Sequence, residues 1–304
     1  MEKFRLNNGV RMPQLGLGTF QSNDAALCEQ TILEALRQGY RLIDTAQGYG
    51  NEKYIGEALA KTDVPREELF IVTKVWFKNY EDCRQSVLRS MDDLHVDYLD
   101  LVLLHWPFGN TYRAWRDLEA LYAEGRIRAI GVSNYNADRL IDLIQYNKVV
   151  PAVNQIEINL QSQQQENREW MEKLGVQPMG YAPFGQGRLD DLYTDPALTA
   201  IAQKHGKAAI EREQNHACMN SAEREQARPK GKTSRQVALR YQLQLGIVII
   251  PKTVSPDRLK ENIDVFDFEL TAGDMQTLSR MDKAQPLIGN PQNPALVESS
   301  AKWG

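Results

Sequence analysis

The chain has 304 residues, is 42% hydrophobic and 25% charged, and carries a formal net charge of -4; one large α/β domain or two small ones fit that length, and wholesale disorder is excluded. No basic stripe stands out, so no nucleic acid or anionic membrane is expected as a partner, and no run approaches the roughly 20 apolar residues of a membrane span. Cys28, Cys83 and Cys218 are odd in number and far apart, which argues against a disulfide framework or zinc cluster, and the opening MEKFRLNNGVRMP lacks a signal-peptide core, so a reducing cytoplasm is the expected home.

A hairpin is predicted first, turning at Asn7, Asn8 and Gly9. PQLGLGTF (13–20) reads as a first strand, followed by a helix over 24–39 with Leu27, Ile32, Leu33 and Leu36 as its buried stripe. The pattern then repeats. RLIDTA (41–46) precedes helix 51–61, LFIVTKVW (69–76) precedes helix 80–95, and DYLDLVLLHW (97–106) precedes helix 112–124. IRAIGVSN (127–134) precedes helix 137–147, VVPAVNQIEI (149–158) precedes helix 163–174, and VQPMGYAPF (176–184) precedes a helical stretch from 195. GIVIIPKTV (246–254) and helix 256–265 complete eight β-then-α units. The strand runs are continuously apolar, as parallel strands covered on both faces are. Eight such units fit an α/β (β/α)8 barrel, with a doubly wound open sheet as the competing arrangement. No linker divides the chain, so one domain over 1–304 is expected.

The segment 208–232 breaks this rhythm. It is polar, contains EREQ twice and offers little to a core, so a surface insertion is expected there. Thr233 with Gln236 forms a candidate capping box that restarts the helix. His216 and Cys218 lack a third ligand, and GKT at 231–233 lacks the glycine a phosphate loop requires; no metal site is expected.

In such barrels reacting groups gather at the carboxyl ends of the strands. There stand Asp44 and Tyr49 after the second strand, Lys74 at the end of the third and His105 at the end of the fourth. Each alone has a structural explanation, such as a helix cap, a rim lysine, a packed aromatic or a core histidine. Together they make chemical sense. A phenol ordinarily titrates near 10, and a neighbouring Lys74 ammonium is expected to lower that value. Asp44 would hold Lys74, and His105 would position a carbonyl oxygen beside Tyr49. The set polarises a carbonyl and supplies a proton; a hydride must come from a cofactor. The Rossmann fingerprint is absent, because Gln21 stands where its third glycine belongs. An anion site is available after the eighth strand instead. Lys252 and Thr253 precede a helix capped by Ser255, with Pro256 at its first position and Arg258 in its first turn. Free N–H groups, the dipole and two cations there suit a phosphate monoester.

MPQLGLGTF, YRLIDTAQGYGNE, FIVTKVW, DYLDLVLLHWP, IGVSN, NQIE and IPKTVSPDRLKEN together resemble the aldo-keto reductase superfamily over nearly the whole chain. The flavour is that of its microbial branch of 2,5-diketo-D-gluconate and methylglyoxal reductases. The resemblance implies NADPH-dependent reduction of small-molecule aldehydes and ketones (2-oxoaldehydes, diketo acids, aromatic aldehydes) by a monomer, with Asp44, Tyr49, Lys74 and His105 as the catalytic tetrad. It further implies Ser133, Asn134 and Gln155 on the nicotinamide carboxamide, and Tyr181 stacked on the ring. Lys252, Thr253 and Arg258 would hold the 2′-phosphate, with Glu261 and Asn262 near the adenine. Loops Pro107–Tyr112, Phe184–Tyr193 and the tail Gln285–Gly304 would roof a pocket walled by Phe20, Trp76 and Trp106. Two departures stand out: Ile158-Asn159-Leu160 replaces a common His-Pro after NQIE, and Ala182 replaces a frequent serine. The competing readings are a catalytically weak NADPH-binding regulatory module and a metal-dependent hydrolase using Asp44 and His105.

Overall fold

The computed structural model describes residues 2–215 and 231–303. β1 (Lys3–Arg5) and β2 (Arg11–Pro13) pair antiparallel with Phe4 opposite Met12, and Gly9 supplies the positive φ of the connecting turn. Eight parallel strands follow: β3 (Leu17–Gly18), β4 (Leu42–Asp44), β5 (Phe70–Val75), β6 (Leu101–Leu104), β7 (Ile130–Ser133), β8 (Val153–Glu157), β9 (Gln177–Tyr181) and β10 (Val248–Ile249). Each bonds to its neighbour in sequence. Parallel bridges Leu15–Ile249 and Gly18–Lys252 join the first of these strands to the last, so the sheet closes into the (β/α)8 barrel and an open sheet is ruled out.

The helices are α1 (Ala25–Arg37), α2 (Glu52–Leu59), α3 (Cys83–Asp93), α4 (Thr111–Ala123), α5 (Ala137–Gln145), α6 (Gln165–Leu174), α7 (Pro196–Asn215), α8 (Ser234–Gln244), α9 (Pro256–Ile263), α10 (Ala272–Ser279) and α11 (Pro294–Ser300). Most predicted elements recur with trimmed ends. The first and last barrel strands are the shortest, trimmed from 13–20 to Leu17–Gly18 and from 246–254 to Val248–Ile249. They meet at the seam, where Pro251 offers only its carbonyl, accepting from the Gly18 N–H at 3.3 Å. The stripe predicted for α1 was rotated. Leu27 is 42% exposed and Leu33 only half-buried, while Cys28, Thr31, Ile32, Ala35 and Leu36 face the barrel at the i, i+3, i+4, i+7, i+8 spacing. The capping box is present: Thr233 Oγ1 accepts from the Gln236 N–H, and Gln236 Oε1 from the Thr233 N–H. Of the predicted insertion 208–232, including His216 and Cys218, all but the end of α7 and the final Gly231–Lys232 lies outside the described residues. Cys28 and Cys83 are buried free thiols.

Strand parity divides the core in two. Leu42, Phe70, Val72, Leu101, Leu103, Val153, Met179 and Val248 form one cluster with Leu6 and Met12 of the hairpin; these fill the barrel and plug its lower mouth. Ile43, Ile71, Val75, Val102, Leu104, Ile130 and Ile249 belong to a second cluster with the helices. Side chains alternate faces along a strand. Counting on by two from the inward set reaches Asp44, Lys74, His105, Ser133, Gln155 and Tyr181. The polar residues singled out above therefore form the inward-facing layer at the carboxyl rim.

Candidate active site

Lys74 has no solvent exposure. Its Nζ donates to Asp44 Oδ1 at 2.6 Å and to the Thr45 carbonyl at 2.8 Å, and lies 3.4 Å from the Tyr49 hydroxyl. Gln155 Nε2 donates to the other Asp44 oxygen at 2.7 Å. Both members of the buried pair thus have partners for most of their polar atoms, without which burying two charges would be prohibitive. The pair is built from neighbouring strands, since Asp44 sits opposite Val72 in the β4–β5 register and Lys74 lies one inward position further up.

Tyr49 ends a 3-10 turn (Gln47–Tyr49) that Gly50 closes with a left-handed φ of 67°. Gln47 pins this turn to the next strand end: its Oε1 accepts from the Trp76 N–H at 3.0 Å and from Asn79 Nδ2 at 2.9 Å. Asn51, fully buried, accepts from Thr45 Oγ1 at 2.7 Å and donates to the Thr19 carbonyl at 2.9 Å. His105 meets the Tyr49 ring edge-on, with centroids 5.6 Å apart. The four rim residues predicted as a set are brought together.

Electrostatics corrects one expectation. Tyr49 is held well above the ordinary phenol value, first by burial and then by the Asp44 carboxylate; the net direction is upward, against the lowering that the sequence suggested from Lys74. Burial pushes Asp44 up and Lys74 down, while each partner's charge opposes the other's shift. Burial, and then the Lys74 charge, drive His105 well below the usual imidazole range. At neutral pH the site therefore holds a protonated phenol and a neutral imidazole.

Beside this set, Asn134 adopts a left-handed φ of 63°, uncommon for a residue with a side chain and frequent at functional sites. The turn brings its Nδ2 to the His105 carbonyl (3.0 Å) and to Ser133 Oγ (3.2 Å), and its Oδ1 accepts from the Tyr181 hydroxyl at 2.8 Å. Ser133 Oγ donates to the Gln155 carbonyl at 2.9 Å. Ser133, Asn134, Gln155 and Tyr181 are thus one hydrogen-bonded patch next to Tyr49, with amide and hydroxyl groups of the kind a carboxamide needs. Across the rim, Ser255 Oγ caps α9 by accepting from the Arg258 N–H at 3.4 Å. Lys252 and Arg258 are exposed there, whereas Thr253 and Asn262 are buried. Glu261 Oε1 accepts from Thr233 Oγ1 at 2.6 Å. A capped helix start flanked by two exposed cations fits a phosphate group.

The apolar wall is larger than predicted. Phe20, 41% exposed, stands 5.1 Å from Tyr49, and Trp76 and Trp106 pack against His105 at 5.2 and 6.3 Å. Phe77 was not foreseen, while Phe108 and Trp303, not singled out individually, belong to the loop Pro107–Tyr112 and the tail Gln285–Gly304 expected as the roof of the pocket. Trp303, from the tail, lies 5.3 Å from Trp106 and 6.2 Å from both Trp76 and Phe108. The tail had been expected to roof the pocket, but its final tryptophan carries no periodic signal that would single it out. The buried Trp76 indole N–H and His105 Nδ1 have no partner among the described residues. A groove of about 790 Å³ adjoins the patch of Asn134 and Tyr181 and runs beneath the tail at Pro286 and Gly289; Tyr49 and His105 lie beyond it, under the aromatic roof.

Asp44, Lys74 and His105 on the inward rim, Tyr49 in the turn above them and the amide patch beside them are the groups a carbonyl reductase needs. The family comparison agrees. The Aldo/keto reductase family model matches residues 14–283, and the chain belongs to that family, whose cofactor is NADP(H). Glyoxal reductase of Bacillus subtilis (strain 168) is 38% identical over 290 residues, covering 94% of this chain and 95% of that protein. The crystal structure of an aldo-keto reductase from a Medee basin deep-sea metagenome library superposes with a TM-score of 0.84 at 33% identity, over 96% of this chain and 99% of that one. A Bombyx mori aldo-keto reductase, solved in complex with NADP, gives 0.78 at 29% identity, over 94% of each chain. Among the described residues, no helix is long and apolar enough to cross a membrane, and no group of three or more His, Cys, Asp or Glu side chains is arranged to hold a metal ion.

Proposed function

We propose that this protein reduces aldehydes and ketones to alcohols with NADPH, and that Tyr49 gives the proton. The observation that carries the reading is the line Asp44–Lys74–Tyr49, with bonds of 2.6 and 3.4 Å, and His105 set edge-on at its open end. Bound NADPH supplies the hydride. The chain's own residues do the rest. The neutral His105 orients the substrate oxygen toward the Tyr49 hydroxyl, and Tyr49 releases its proton as that oxygen becomes an alkoxide. The high affinity of Tyr49 for its proton is compatible with this, because an alkoxide is far more basic than a phenolate. Lys74 stabilises the phenolate left behind, and Asp44 keeps Lys74 charged and in place.

Ser133, Asn134 and Gln155 would hold the nicotinamide carboxamide, and Tyr181 would lie against the ring. Lys252, Thr253 and Arg258 suit the 2′-phosphate, with Glu261 and Asn262 beside the adenine. Phe20, Trp76 and Trp106 would pack against the substrate. Small 2-oxoaldehydes are candidate substrates in view of the glyoxal reductase relative; the aromatic wall favours aromatic aldehydes, and diketo acids complete the panel. The test follows reduced-nicotinamide absorbance with methylglyoxal, 4-nitrobenzaldehyde and a diketo acid, NADPH and NADH side by side. Tyr49→Phe should retain NADPH binding and lose about 10²–10⁴-fold in turnover, the usual worth of a general acid. Unchanged turnover in that variant would remove Tyr49 from the proton step. Tight NADPH binding by the wild type without turnover of any carbonyl would favour the regulatory module.

A further inference from the structure

Glu157 has no part in the chemistry above, yet it is the next inward residue beyond Gln155 on β8. It is 2% exposed. Buried carboxylates need several hydrogen-bond donors or a cation. Its donors come from two places. The Leu287 N–H lies 2.9 and 3.0 Å from its two oxygens, and the Ile288 N–H lies 2.9 Å from Oε2. Asn159 Nδ2 donates to Oε1 at 3.0 Å. Two consecutive backbone N–H groups converging on one anion form a small cradle of the kind that binds anions elsewhere. Here the anion belongs to the barrel and the cradle to the C-terminal tail.

Asn159 is one of the residues that replace the common His-Pro. It is itself 1% exposed, and its Oδ1 accepts from the Gln161 and Ser162 N–H groups at 3.0 Å each. That turn fixes its amide toward Glu157. The clamped segment is continuous with the roof. Arg188 donates to the Leu287 carbonyl, a side chain added at Gly289 would begin 3.6 Å from the Trp106 ring, and α11 then carries the chain to Trp303 over Trp76 and Trp106. The Lys283 N–H also bonds the Gln161 carbonyl at 2.9 Å. The tail thus follows a path set by the β8–α6 loop before it reaches the pocket.

We infer that Glu157, oriented by Asn159, is a positioning residue that latches the C-terminal tail to the barrel and so holds Trp303 in the substrate wall, setting affinity for aromatic carbonyl substrates without entering hydride or proton transfer. The substrate half of this inference rests on the reductase reading; the latch itself does not. Glu157→Gln keeps the size of the side chain but turns an N–H₂ group toward groups that are all donors. Trp303→Ala removes the wall and leaves the latch. Both are measured against wild type for kcat and KM with 4-nitrobenzaldehyde and methylglyoxal under saturating NADPH, and for amide hydrogen exchange at Leu287 and Ile288.

Loss of charged hydrogen bonds should speed exchange at both amides in Glu157→Gln, and raise KM for 4-nitrobenzaldehyde, by about tenfold or more. Its kcat should stay within about threefold of wild type, and KM for methylglyoxal, too small to reach the wall, should move little. Trp303→Ala should raise the same KM with exchange at Leu287 and Ile288 unchanged, and the double variant should go no further than the larger single effect. Unchanged exchange in Glu157→Gln overturns the latch. A fall in kcat at constant KM for both substrates overturns the positioning role in favour of a chemical one. If Glu157→Gln does not fold, Asn159→Ala removes one donor and is read the same way. If the wild type reduces no carbonyl, the reductase reading fails and the exchange measurement alone decides the latch.

Discussion

Replacing Lys74 by methionine separates what the buried pair does for stability from what it does for chemistry. Methionine matches the lysine stem but removes the ammonium, and Asp44 is left with Gln155 Nε2 at 2.7 Å as its remaining side-chain donor. Stripping one partner from a buried ion pair costs about 3–5 kcal/mol, a large part of the roughly 5–15 kcal/mol that holds a domain folded. Adding Asp44→Asn removes the stranded charge, so Asp44→Asn/Lys74→Met should recover about 1–3 kcal/mol of that loss. Neither variant should reduce carbonyls at more than a trace of the wild-type rate. The single variant should also respond to pH. Burial already holds the Asp44 carboxyl above its ordinary value, and without Lys74 it rises further, so the native state binds a proton that the unfolded chain, with a carboxyl near 3.9, does not. Native stability then increases as pH falls, and the deficit against wild type should shrink between about pH 7 and 5. Urea unfolding followed by tryptophan fluorescence at both pH values, extrapolated linearly, gives the numbers. The reasoning is refuted by a double variant less stable than Lys74→Met, or by a deficit that does not change with pH.

The neutral, strongly depressed His105 should give a kcat/KM profile without an inflection between about pH 6 and 8, where an ordinary imidazole would titrate; an inflection there that His105→Asn abolishes would contradict this. Because a depressed imidazole stays neutral in the fold while the unfolded chain gains its proton, His105 should lower stability as pH falls through about 6.5, and wild-type urea midpoints should drop more steeply there than those of His105→Asn. Arg258→Ala should weaken NADPH binding about tenfold or more and NADH binding little, read by fluorescence titration, since charge-assisted contacts to a phosphate are lost only with the former. Gly56→Ala should cost about 1–3 kcal/mol by urea unfolding despite the better helix propensity of alanine, because its Cβ would land on the Asp93 carbonyl oxygen where α2 crosses the end of α3.

The barrel was legible because most strands are short apolar runs, and the starts of two helices could be read from their caps at Thr233 and Ser255. The rim was legible because Asp44, Lys74 and His105 end such runs. Where the reading went astray, the deciding physics was not local. Leu27 and Leu33 are as apolar as Ile32, and only the angle at which α1 meets the sheet selects Cys28 and Ala35 instead. The Tyr49 proton affinity was misjudged because a sequence shows the adjacent ammonium but neither the burial nor the Asp44 charge behind it. Glu157 went unassigned although it stands two residues beyond Gln155, on the same face of β8. Its donors are backbone N–H groups of Leu287 and Ile288, which leave no trace in residue identity. Trp303 likewise acquires its place only through the path of the tail.

The barrel seam bears on how the protein is made. All other neighbouring strands follow one another in the chain and can pair as soon as both have been synthesised. Leu15 with Ile249, and Gly18 with Lys252, join the beginning of the sheet to its end, so their contact carries the heaviest loop-closure penalty in the fold and belongs late in folding. Lys252, proposed as a grip on the cofactor, is itself one side of that last bridge. A nascent chain lacking its final strand would display Asp44, Lys74 and His105 but have no assembled phosphate grip, so cofactor retention would report that the chain has been completed and its ends joined.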